Sequence, residues 1–92
     1  MRVVLYGKPG CCLCDLAESR LETLRARRPF ELVKVDVLRD PAAGARFGAT
    51  IPAVEVDGTL VSEGRFDEHA VAAAVGVGPL ARLRRALRRP PA

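Results

Sequence analysis

The first 37 residues set the architecture. "RVVLY" (Arg2 to Tyr6) is a short, β-branched apolar run that stops at Gly7 and Pro9, the pattern of a buried strand. From about Cys11 to Arg28, Leu13, Leu16, Ala17, Leu21 and Leu24 recur at helical spacing. Glu18, Arg20, Glu22 and Arg25 fall between them. This stretch reads as an amphipathic helix, and Pro29 lies just beyond its end. "ELVKVDV" (Glu31 to Val37) alternates and is rich in valine, so it reads as a second strand. A strand, a helix and a strand in succession imply a parallel pair joined by a right-handed crossover.

The rest of the chain extends that unit. Asp40 followed by Pro41 is an N-cap with proline at the first helical position. The helix it opens runs to about Phe47, with Gly48 suited to its C-terminal cap. "TIP" follows, then "AVEV", the turn pair Asp57-Gly58, and "TLVSE". That is a β-hairpin with a type I′ turn signal. Phe66 to Val75 reads as a further helix capped by Asp67, and "LARLRRALRR" as a last, basic helix. The order β-α-β-α-β-β-α is satisfied by an α/β fold with a mixed four-stranded sheet and helices on both faces.

A chain of 92 residues is one domain, expected to span residues 1–79 with a basic helix or tail over 80–92. The net charge of +4 belongs to that tail. Residues 1–79 hold ten Lys or Arg against eleven Asp or Glu, whereas residues 80–92 hold five Arg and no acid. The nearly neutral body gives no basis for nucleic-acid binding. No apolar run approaches the roughly 20 residues that span a bilayer. "MRVVLYG" has too few apolar residues to be a signal peptide. The expected location is the cytoplasm, and the expected state a monomer.

Every cysteine lies in one cluster, "KPGCCLCD" (Lys8 to Asp15). A secreted scaffold spreads its cysteines to staple distant loops. A cluster with none elsewhere excludes such a framework and points to catalysis or metal binding. Cys11 falls at or just before a helix N-terminus, where free N–H groups and the helix dipole favour a thiolate. Lys8 adds to that field and Asp15 opposes it. Cys14 lies one turn on, over the same face as Cys11, and is the natural resolving thiol. Cys12 is rotated about 100° away on the helix wheel, which makes it the bystander.

Thr50-Ile51-Pro52 puts a proline at the mouth of a strand, where a cis Ile51–Pro52 bond would fit. "LYGKPGCCLCDLA", "VDV", "TIP" and "VDGTLVSEGRFDE" together resemble the glutaredoxin branch of the thioredoxin-fold superfamily. The closest likeness is to small bacterial glutaredoxin-like proteins with a C-x-L-C-D site, and it covers about Arg2 to Gly76. The resemblance implies a thioredoxin fold with sheet order 2-1-3-4 and dithiol–disulfide oxidoreductase activity. It implies that Cys11 is the nucleophile, that Cys14 resolves and that Pro52 is cis. Ile51 would offer its backbone to an extended substrate, with Lys8 and Thr50 beside a glutathione-sized ligand.

The chain also departs from that pattern. Dithiol glutaredoxins carry G-G-x-D-D before their last helix to hold one end of glutathione, and here "EGRFDE" stands instead. Gly64 and Asp67 match one glycine and one acid, while Glu63 and Phe66 replace the others. A glutamate disfavours an anionic tripeptide. No bound cofactor is expected, and either glutathione or a thioredoxin-reductase-like flavoprotein would supply electrons to reduce a disulfide-containing protein or a glutathione mixed disulfide. Three other readings stay open at this point: a Cu(I) or zinc thiolate site, an Fe–S carrier using Cys11 with glutathione, and a non-catalytic partner-binding adaptor. Against the metal site, the only histidine, His69, is in the last body helix, and a copper chaperone has no use for the proline of "TIP".

Overall fold

The structure is a computed structural model that describes residues 1–77. The expected basic helix over 80–92 lies outside the described residues. Strand β1 (Arg2–Gly7) leads to helix α1 (Cys12–Arg27), strand β2 (Glu31–Asp36) and helix α2 (Pro41–Phe47). Strands β3 (Ala53–Val56) and β4 (Thr59–Glu63) and helix α3 (Glu68–Val75) follow. The sheet order is β2-β1-β3-β4, with β1 parallel to β2 and antiparallel to β3, and β3 antiparallel to β4. The expected order 2-1-3-4 is thus the observed one.

Strand alternation divides the interior into two cores. Val3, Leu5, Val54 and Val56 face α1 and α3 and meet Ala17, Leu21, Leu24, Val71 and Val75. Tyr6, Val35 and Ala53 face α2 and meet Ala43 and Phe47. Helix α1 turns a different stripe inward than its leucine spacing suggests. Cys14, Ala17, Leu21 and Leu24 are buried, while Leu13 and Leu16 are 55% and 50% exposed. The small Ala17 faces the sheet, which lets the helix sit close to it.

Several local expectations resolve into specific geometry. Asp57 and Gly58 both have positive φ, 49° and 85°, as a type I′ turn requires. Asp40 and Asp67 cap α2 and α3 by accepting from the N–H groups of Ala43 and Ala70, at 3.1 and 3.0 Å. Helix α3 thus begins at Glu68 rather than at Phe66. Gly48 is the C-cap of α2 as expected, in a right-handed conformation at φ −53°. The left-handed cap is Gly76, φ 85°, at the end of α3.

A bulge in β4 leaves Val61 unpaired between the Glu55–Leu60 and Val54–Ser62 pairs. Val61 packs on the α1/α3 core and the neighbouring Ser62 is buried. Ser62 Oγ accepts from the Asp67 N–H at 2.9 Å and donates to the Arg65 carbonyl at 3.3 Å. The bulge thereby fixes the turn that joins β4 to α3.

The second core holds one buried carboxylate, Glu55, which is 8% exposed. The Tyr6 hydroxyl donates to Glu55 Oε1, and Arg46 donates to Oε2 at 3.4 Å while lying over the Phe47 ring. Hydrogen bonding to Glu55 is the main reason that the Tyr6 phenol titrates above its ordinary value. Truncating one partner of such a buried bond costs about 1–3 kcal/mol. Glu55→Ala is therefore expected to lower the unfolding free energy by that much and shift the urea midpoint down, with fluorescence or circular dichroism as the readout.

Helix α2 approaches the end of β2 through Gly44. A Cβ there would lie 2.7 Å from the Val37 carbonyl oxygen. Helix propensity alone favours alanine over glycine by about 1 kcal/mol. The collision with rigid backbone, about 1–3 kcal/mol, should outweigh it. Gly44→Ala is expected to lower the denaturation midpoint rather than raise it.

Candidate functional site

β1 ends at Gly7, and a turn over Lys8–Gly10 leads into α1, with Gly10 in the left-handed region at φ 77°. Cys11 is the N-cap of α1 itself, with extended backbone at φ −92° and ψ 110°. Its sulfur accepts the Cys14 N–H at 3.2 Å, and its carbonyl accepts the Asp15 N–H at 3.0 Å. It thus fills with sulfur the place where serine or aspartate commonly puts oxygen. Cys11 is half-buried, Cys12 exposed and Cys14 buried at 6% exposure. The helix therefore divides the three thiols as their spacing implies.

The electrostatics of Cys11 and Cys14 differ in sign. Cys11 titrates below the ordinary thiol value, chiefly because the Cys14 side chain hydrogen-bonds to it. Burial, the next-largest influence, opposes this, while the N–H groups of Cys14 and Leu13 and the Lys8 charge act the same way as that bond. Cys14 is pushed up to about 11 by burial and by its bond to Cys11, with Asp15 adding to the rise and the Lys8 N–H opposing it. Burial of Cys14 follows from Gly7, where a Cβ would come within 3.1 Å of both Cβ and Sγ of Cys14.

The other expected residues gather at the same end of the sheet. Ala53 pairs with Tyr6, so Pro52 stands one position beyond that pair, at the end of β1 that carries Gly7. The Ile51–Pro52 bond is cis. Thr50 donates its N–H to the Phe47 carbonyl at 2.9 Å and accepts the Gly64 N–H at 2.8 Å. Gly64, at φ 77°, thus ties the β4–α3 turn to the "TIP" segment. The Thr50 hydroxyl is buried and has no hydrogen-bond partner among the described residues. Lys8 is exposed in the β1–α1 turn. Asp67 stands apart from this group in one respect: its carboxylate is occupied in capping α3.

A pocket of about 270 Å³ lies beside Cys14, between the start of α1 and the edge strand β2. Gly7, Cys14, Asp15, Glu18, Lys34 and Asp36 line it. Cys11, Thr50, Ile51 and Pro52 do not. Sequence reasoning missed Gly7, Ser62 and this pocket. The alternation of β2, which places Lys34 and Asp36 on the α1 side, was the one available signal for the last. Among the described residues, no group of three or more His, Cys, Asp or Glu is placed to hold a metal ion, and no helix is long and apolar enough to cross a membrane.

Residues 2–76 match the family described as Glutaredoxin-like domain (DUF836). Uncharacterized proteins of Mycobacterium tuberculosis and Mycobacterium bovis are 30% identical over 73 residues, covering 74% of this chain and 75% of theirs. Protein Ne2328 of Nitrosomonas europaea superposes with a TM-score of 0.70 at 21% identity, over 80% of this chain and 89% of that one. The X. campestris protein XcR50 gives 0.65 at 25% identity, over 84% and 99%. Thioredoxin 1 of Thermosipho africanus gives 0.65 at 16% identity, over 97% and 100%, a likeness of fold alone. By its match over residues 2–76, the chain belongs to the glutaredoxin-like domain family and has a thioredoxin-like fold.

Proposed function

We propose that the protein is a dithiol–disulfide oxidoreductase. The observation that carries this reading is the asymmetry within one helical turn: Cys11, at the N-cap, accepts an N–H and titrates low, whereas Cys14 is buried and titrates high. A thiolate at Cys11 attacks a substrate disulfide, forming a Cys11–sulfur bond and releasing one substrate thiolate. Cys14 then loses its proton and attacks Cys11 Sγ. The Cys11–Cys14 disulfide forms, the mixed disulfide breaks, and the second substrate sulfur leaves and is protonated. The substrate gains two electrons and the cysteine pair loses two.

Lys8 supports the thiolate, and the Thr50-Ile51-Pro52 segment receives the substrate backbone. Gly64 braces that segment through Thr50. The electron donor is either glutathione or a thioredoxin-reductase-like flavoprotein. The occupied Asp67 carboxylate and the nearby Glu63 favour the second. The substrate is a disulfide-bearing protein, and the setting is the reducing cytoplasm with the protein acting as a monomer.

Three substitutions test the division of labour. Cys14→Ser should accumulate a mixed disulfide visible by mass spectrometry, and Cys11→Ser should abolish disulfide reduction. Cys12→Ser should keep activity within about twofold. An inactive Cys12→Ser protein would refute the assignment. A reduction assay run with glutathione and separately with NADPH and thioredoxin reductase should show the faster turnover with the reductase.

The thiol asymmetry also fixes a pH dependence. A lowered pKa means that the thiolate appears at lower pH, so alkylation of Cys11 should reach half its maximal rate below the roughly 8.5 of a free cysteine. Cys14, titrating near 11, should stay largely unmodified at neutral pH. Peptide mass mapping after timed iodoacetamide labelling reads both. Equal labelling midpoints for the two cysteines would count against the site.

A further inference from the structure

The five arginines of residues 80–92 have no part in the thiol chemistry, and no acid accompanies them. The family match ends at residue 76, so they lie beyond the shared domain. Leu80, Leu83 and Leu87 recur among them at i, i+3 and i+7. On a helix wheel the three leucines share one side. Arg82, Arg85 and Arg89 fall opposite, and Arg84 and Arg88 fall at the boundary. We propose that this segment, together with the arginine end of α1, holds the protein on an anionic lipid bilayer with Cys11 turned away from it.

The described body shows where the segment starts. α3 ends at the left-handed Gly76, and Val77 donates its N–H to the Ala72 carbonyl at 2.8 Å. A Cβ on Gly76 would lie 3.0 Å from Arg28 Nε, so the chain leaves α3 against the C-cap of α1. Arg25 and Arg27 are exposed in the last turn of α1, and Arg28 is half-buried. Arg25 pairs with Glu22 at 3.3 Å, whereas Arg27 and Arg28 have no carboxylate partner among the described residues. Five arginines thus enter the chain beside two whose charge is not already paired. This pole is the far end from the thiols. Cys11 caps the start of α1 and Arg28 its end, and the 16 helical residues between them span about 24 Å. Charge at the pole is screened over about 8–10 Å in physiological salt, so a surface bound there leaves Cys11 in water.

The two residue types select the surface. Arginines beside an anionic leaflet each add to the attraction, and leucines on the opposite face gain by burial at the boundary of headgroups and acyl chains. Arg84 and Arg88, flanking the leucines, reach headgroups while their stems lie on apolar surface. A nucleic acid offers phosphates to the arginines and nothing to a stripe of leucines. The nearly neutral body gives it no second basic face to follow. A helix of about ten residues is marginal alone in water. A bilayer that takes up the leucines stabilises it, so ordering and binding become one event. The segment lies on the bilayer and does not span it. This goes beyond the oxidoreductase reading and does not depend on it.

The test is co-sedimentation of the full chain with vesicles of phosphatidylcholine alone and of phosphatidylcholine mixed equally with phosphatidylglycerol. The mixed vesicles should carry the protein down and the neutral ones should not, and salt at about 1 M should release it. Arg84→Gln and Arg88→Gln should each weaken binding about fivefold, and Arg27→Gln by less. Leu83→Ser should weaken it about tenfold while keeping the parent's urea midpoint. Timed iodoacetamide labelling of Cys11 should run at one rate with and without mixed vesicles. Failure to bind the mixed vesicles, binding that Leu83→Ser leaves unchanged, or tighter binding to a DNA duplex overturns the proposal. So does a lowered urea midpoint in Leu83→Ser without vesicle binding, which would seat the leucines on the body. Protection of Cys11 by the vesicles overturns the orientation.

Discussion

The seating of Cys14 on Gly7 is the contact on which the site depends. A Cβ at position 7 would press within 3.1 Å of both Cβ and Sγ of Cys14, so glycine lets the first turn of α1 settle onto the end of β1 without crowding. That settling buries Cys14 and aims its N–H at Cys11 Sγ. One steric fact therefore produces two electrostatic ones. Burial holds the proton on Cys14, and the donated hydrogen bonds favour its loss from Cys11. Two identical side chains three residues apart become chemically unlike without a distant charge between them.

Sheet topology explains which other candidate residues stand near this pair. β1 and β2 run parallel and finish at one end, and the antiparallel β3 starts there. β4, antiparallel to β3, returns to that end and leads to α3. The N-terminus of α1, the cis peptide before Pro52 and the Gly64 turn consequently gather at a single edge. β1 separates that edge into two sides. Thr50–Pro52 belongs to the β3 side, and the charged pocket beside Cys14 to the β2 side.

Much of this was legible in the sequence because it rests on local rules. The strand–helix–strand opening, the Asp40 and Asp67 caps and the Asp57-Gly58 turn are each set by a few adjacent residues. The three different environments of the cysteines follow from helix geometry. What escaped depends on contacts across the chain. Leu13 and Leu16 fit an apolar stripe by spacing, yet the helix rolls to bury Cys14 and Ala17 because Gly7 and the sheet admit small groups there. The Val61 bulge has no single-residue signature. Lys34 reads as a solvent-facing strand residue until α1 brings Glu18 within 2.8 Å of it.

On the proposed oxidoreductase reading, the bulge bears on which partner the site would select. By leaving Val61 unpaired it turns consecutive residues toward α3, and the buried Ser62 hydroxyl then holds both the Arg65 carbonyl and the Asp67 N–H. Gly64 is bonded to Thr50, and the Asp67 carboxylate caps α3. The Gly64–Asp67 turn therefore satisfies much of its own hydrogen bonding. Polar groups committed to one another offer little to the carboxylates and amine of a small peptide thiol, because taking them would leave the former partners unpaired. On the proposed oxidoreductase reading, a protein substrate would not face that exchange, because its backbone would meet the segment before Pro52 and its affinity would come from a wider surface. The turn that braces the cis-proline segment would then also shift selectivity from small thiols to proteins.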